Sequence, residues 1–133
     1  MPMLVACQNS PPAQKTQAAA SESAKYSTGG DPDDDPCTRV VSSIGYAGLL
    51  LLPAGREDEQ NFENAVLGRL AELRGMVQEF GPRLPQVLQD EAEKVEKATK
   101  GLSSAQTPRK RQVALLKDYR AAADRIVEGC KGR

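Results

Sequence analysis

Three cysteines, Cys7, Cys37 and Cys130, are the side chains with the most chemistry to offer in this chain of 133 residues. A thiol can form a disulfide, ligate a metal, act as a nucleophile or carry a lipid, and its neighbours decide which. The chain has no His, so the usual base for a Ser or Cys nucleophile and one of the commonest zinc ligands are both missing. No cysteines stand in a CxxC spacing, which leaves a redox or zinc motif unsupported. Disulfide formation and lipid attachment remain, and an enzyme is disfavoured.

The carboxylates answer to their neighbours in the same way. Asp31-Pro-Asp-Asp-Asp35 offers hard oxygen ligands, but it lacks the Gly and the Glu that an EF-hand loop needs at its sixth and twelfth positions. It reads as a solvated acidic run that favours the start of a following helix. Asp90, Glu93 and Glu96 each have a Lys four residues on, the favourable order for salt bridges along a helix, so they read as a solvated face rather than a catalytic pair. No metal site and no cofactor are expected. The 18 basic and 18 acidic side chains cancel, which removes the long-range field that draws a protein onto nucleic acid. The only basic cluster is Arg109-Lys110-Arg111, at the start of a helical pattern where positive charge is mildly unfavourable. It is a candidate patch for an anionic partner such as lipid headgroups or a wall polymer, against a solvated or salt-bridged face.

Positioning these residues falls to amphipathic helices. Residues 8–35 are dominated by Pro, Ala, Gln, Ser, Gly and Asp, with Tyr26 as the one large apolar side chain, and so are expected to form a disordered tether. From Pro36 the composition turns to Val, Leu, Ile and Ala at helical spacing, giving an expected folded domain over 36–131. Asp35-Pro36 predicts a cap and first turn for a helix to about Leu52, with Cys37, Val41, Ile44, Gly48 and Leu51 as its apolar seam. Glu57 or Asp58 is expected to open a second helix through Phe62, Val66, Leu70, Leu73, Val77 and Phe80, stopped by Gly81-Pro82. A third is expected from Pro82 or Pro85 to Lys100, with Leu84, Leu88, Val95 and Ala98 inward and Gly101 just past its end. Thr107-Pro108 predicts the cap of a fourth, carrying Leu116, Tyr119, Ala123, Ile126 and Cys130. The fold class is therefore all-α, an antiparallel up-down bundle of four helices, or three if the first is only partly formed.

In an up-down bundle the start of the first helix and the end of the fourth share one end. Cys37 and Cys130 lie there, on apolar seams, and are expected to pair; the alternative is two buried thiols. A bridge would close a loop of about 94 residues, worth roughly 4 to 5 kcal/mol in the chain-entropy account. Such a bond persists outside the reducing cytosol. Leu49 to Leu52 cover almost the whole helix circumference, but only 16 residues separate Arg39 from Arg56, too few to cross a bilayer.

Leu4-Val5-Ala6-Cys7 resembles the lipobox of bacterial lipoproteins, in which an aliphatic residue and two small or medium ones precede the Cys that receives the lipid. With the tether behind it and two cysteines closing a helical domain, the layout is similar to small exported lipoproteins of high-GC Gram-positive bacteria. The resemblance implies a lipid on Cys7, residues 1–7 as the remnant of a signal, and a membrane-anchored, extracytoplasmic interaction or structural module without catalysis. Six residues precede Cys7, with no Lys, no Arg and no apolar run, so a signal sequence is expected upstream of Met1. The layout is also similar to secretion pilotins, which bind a segment of an outer-membrane secretin. A further alternative is a carrier that holds an apolar ligand in a cavity lined by Leu49, Leu52, Phe62 and Tyr119.

Overall fold

The structure, a computed structural model, describes residues 33–133. Cys7, Tyr26 and the tether up to residue 32 lie outside the described residues. The chain is all-α over the described residues, with four helices and no strand. They are α1 (Pro36–Gly48), α2 (Asn64–Phe80), α3 (Gln89–Leu102) and α4 (Arg109–Cys130). Each packs on the next in sequence, and α1 also meets α4, a cycle of contacts compatible with an up-down path. A continuous apolar core runs through all four helices. The folded unit begins at Asp34, slightly before the expected boundary, because the last two acidic residues join it. Asp35 accepts hydrogen bonds from the Thr38 amide and hydroxyl, both at 2.8 Å, and Asp34 lies 3.5 Å from the Arg39 guanidinium.

α1 starts as expected, with Asp35 as cap and Pro36 in the first turn, but it ends four residues early, at Gly48 rather than Leu52. The amides of Leu49, Leu50 and Leu51 reach back only three residues, to Tyr46, Ala47 and Gly48, and the tightened turn unwinds the helix. This resolves the problem of four consecutive leucines. Leu50 and Leu51 pack against the core, whereas Leu49 is left 73% exposed. The buried face also differs from the expected seam by one residue along most of its length: Val40, Ser43 and Ala47 point inward with Cys37. Val41 and Ile44 flank it, and Gly48 is exposed.

The expected seam of α2 is buried from Val66 to Phe80, with Met76 added. Its start, however, is Asn64. Glu57–Glu59 forms a separate 3-10 turn, and Gln60 adopts an extended backbone that breaks the path between them. Two further 3-10 turns, Gly81–Arg83 and Gln86–Leu88, take up the residues expected to begin the third helix. The Gln89 side-chain amide bridges them by donating to the carbonyls of Pro82 and Leu84, at 2.9 and 3.2 Å.

α3 then runs through Gly101 rather than stopping before it. The glycine serves packing: a Cβ there would come within 2.5 Å of Leu115 Cδ1 on α4. The expected pairs along α3 give way to other partners, with Glu96 bonded to Arg74 of α2 at 3.3 Å and Glu91 to Arg125 of α4 at 3.3 Å. In α4, Leu116, Tyr119, Ala123, Ile126 and Cys130 are all buried as expected. Thr107 does not cap this helix; its hydroxyl donates to the Gly101 carbonyl at 2.7 Å and so ties the end of α3.

Candidate functional site

Cys37, in the first turn of α1, and Cys130, in the last turn of α4, stand at disulfide distance. Their sulfurs are 2.07 Å apart and their Cα atoms 5.6 Å, within the span that a bridge requires. Both are buried. The pairing inferred from helix ends and seams is the one that the fold brings together, across a separation of 93 residues.

The other end of α1 leads into a connector that α4 holds by polar contacts. Gln60 is almost fully buried. Its side-chain oxygen accepts from the Leu52 amide at 2.6 Å, and its nitrogen donates to the carbonyls of Leu50 and Asn61 at 3.1 and 2.8 Å. Glu57 is also buried. Its carboxylate accepts from the Gly55 amide at 3.1 and 3.2 Å and pairs with Arg120 Nε at 2.9 Å. Gly55 has φ +95°, a conformation natural to glycine alone, and it aims this amide back at the carboxylate. The same Arg120 donates to the Leu52 carbonyl.

Hydrogen bonding from the Glu57 backbone amide, followed by that of Gly55, outweighs the opposing effect of burial. With Arg120 and Lys117 nearby, the Glu57 carboxyl is held below the usual carboxylate range. Beside this network, burial pushes the Tyr119 phenol above its ordinary range.

The basic cluster is divided by the fold. Arg109 belongs to the connector: its guanidinium donates to the carbonyls of Gln60 and Asp58 and lies 5.6 Å from the centre of the Phe62 ring. Lys110 and Arg111 are exposed, and Arg111 faces a cleft between α3 and α4. Arg109-Lys110-Arg111 is therefore not one patch. Its first member is committed to carbonyls about 50 residues away, a role that local sequence cannot display.

The expected carrier cavity is not formed by its named residues. Leu49 stands in solvent and Tyr119 is 3% exposed in the core, so the two cannot line one pocket with Leu52 and Phe62. Sequence reasoning also missed Arg39, which is 5% exposed. It lies 5.8 Å from the centre of the Phe80 ring, while Arg83 lies 4.7 Å from the same centre. Its place beside Cys37 and below the acidic Asp34 was the available signal. Among the described residues no group of three or more Cys, Asp or Glu side chains is placed to hold a metal ion. No helix among them is long and apolar enough to cross a membrane. The chain matches no family model, no curated protein and no solved structure.

Proposed function

We propose that this chain is a lipid-anchored, extracytoplasmic helical module that binds another molecule near a membrane and carries out no catalysis. The observation that carries the reading is the Cys37–Cys130 pair at disulfide distance, because such a bond is compatible with an oxidising compartment and rare in the cytosol. The lipobox-like Leu4-Val5-Ala6-Cys7 supports it from the other end of the chain. Two acyl chains on Cys7 would suffice for stable anchoring, so the helical domain needs no spanning segment.

Mass spectrometry of the N-terminal peptide, from protein expressed in its source cells from the native locus, tests the anchor. The expected mature chain begins at an acylated Cys7 and partitions with membranes, and Cys7→Ser abolishes both. An unmodified Met1 on protein in the soluble, reduced fraction would remove the anchor and the export together.

A further inference from the structure

Arg111, parted from Arg109 by the fold, faces different company. Arg111, Leu115, Asp118, Ala122 and Arg125 recur at helical spacing and line one side of a cleft of about 370 Å³; Lys94, Lys97 and Ala98 of α3 line the other. The floor is apolar and closed, since Ala98, Leu115 and Ala122 are all buried. The lining sets four cations, Lys94, Lys97, Arg111 and Arg125, against a single carboxylate, Asp118. Glu91 partly occupies two of the four, lying 3.6 Å from Lys94 and 3.3 Å from Arg125. Lys97 and Arg111 differ. Among the described residues neither has a carboxylate within salt-bridge distance. Both also line an adjoining cleft of about 330 Å³, which continues past Ser104 and Gln106. The two unpaired cations thus stand where two clefts meet, on opposite walls, with hydroxyl and amide groups close by.

We propose that the α3–α4 cleft seats the phosphate of an anionic phospholipid headgroup, with Lys97 and Arg111 as its main cations. An ammonium and a planar guanidinium on facing walls suit phosphate oxygens. A concave site of this volume fits a headgroup better than an extended polyanion, which a convex basic stripe would serve. The inference rests on the membrane-anchored reading in one respect: a chain anchored at Cys7 meets headgroups at high effective concentration, so weak binding at a single site suffices. The site then orients the domain on the surface to which Cys7 ties it.

The test uses the full chain produced without acylation, sedimented with vesicles of phosphatidylcholine alone or of equimolar phosphatidylcholine and phosphatidylglycerol. The chain should sediment with the anionic vesicles only. Replacing both Lys97→Gln and Arg111→Gln should lower its partitioning by more than about twenty-fivefold, the loss that roughly fivefold for any cation near a charged surface would give. Lys110→Gln, which removes an exposed cation outside the cleft, should cost clearly less. Equal losses for Lys110→Gln and for the single substitutions Lys97→Gln and Arg111→Gln would overturn the proposal, as would an absence of binding to anionic vesicles. So would saturation of the cleft by inorganic phosphate with no response to vesicles, or full displacement from vesicles by an acidic peptide at matched charge. Because the chain is unacylated, failure here leaves the Cys7 anchor standing, and failure of the anchor leaves this measurement unaffected.

Discussion

Where α1 begins, Cys37 and Cys130 stand at disulfide distance. Where α1 ends, the chain passes into a connector that Gln60, Glu57, Arg109 and Arg120 hold through hydrogen bonds and one ion pair. Both devices attach the first quarter of the folded unit to α4, but they answer to different conditions. A disulfide is insensitive to acid and salt and fails on reduction. The connector is insensitive to reductant, and its grip depends on buried polar groups that lose their value once a partner is removed. A molecule fastened in both ways keeps α1 in place even though α1 is short, contains Gly45 and Gly48, and buries Ser43 and Ala47 where larger apolar residues would bind more strongly.

Reduction should separate the two ends most sharply. Cys37→Ser with Cys130→Ser, or reductant alone, should lower stability by about 4 to 5 kcal/mol, measured as the shift of a urea unfolding curve. If the curve did not move, the connector would be the sole fastening of α1. Next in size, Gln60→Ala should cost about 2 kcal/mol, because it strands the Leu52 amide and the Leu50 carbonyl. Hydrogen exchange should quicken at Leu50 to Asn61 while the amides around Cys37 keep their protection; equal quickening at both ends would mean that the two fastenings act as one. Asp35→Ala, at the disulfide end, should cost about 1 kcal/mol through loss of the α1 cap, and the disulfide should confine that loss to the first turn.

The smallest effect is the response to acid. Glu57 titrates below its ordinary value in the folded protein, so its contribution is complete above the unfolded value of about 4.3 and is lost as pH falls through the lowered folded value. Backbone amides still face the carboxyl after protonation, which limits the change. Exchange at the connector should therefore quicken below about pH 4 while the disulfide end stays quiet, and Glu57→Gln should remove that pH dependence. A Glu57→Gln protein with an unchanged acid profile would show that another carboxylate controls this end.

The legibility of the two ends differs as much as their chemistry. The disulfide could be inferred because it needs only two facts, the side of the helix on which each Cys lies and the end of the helix it occupies. The seams of α2 and α4 were equally plain, since their large apolar residues recur at helical spacing without interruption. The connector was not legible. Glu57 resembled a helix opening and Arg109 a surface charge, because each finds its partner through the fold: Arg109 at Gln60 and Asp58, Glu57 at Arg120.

α1 lies between these cases. Periodicity placed Val41 and Ile44 inward, yet Val40, Ser43 and Ala47 are buried. Two faces of this helix carry comparable apolar content, and spacing alone cannot choose between them. Packing of α1 against α2 and α4, with Arg39 buried beside Phe80, made the choice.

The sequence by itself determined the helical class, the stop at Gly81-Pro82, the cap at Asp35 and the helix ends that carry Cys37 and Cys130, because each is written in local propensity or in a periodic pattern. Tertiary structure alone decided where α1 unwinds, that Gly101 serves a close approach to Leu115 rather than a helix end, and that Arg109 and Arg111 part company. Those outcomes depend on which distant carbonyl, carboxylate or side chain arrives beside a residue. That is a property of packed helices, and no window of the chain contains it.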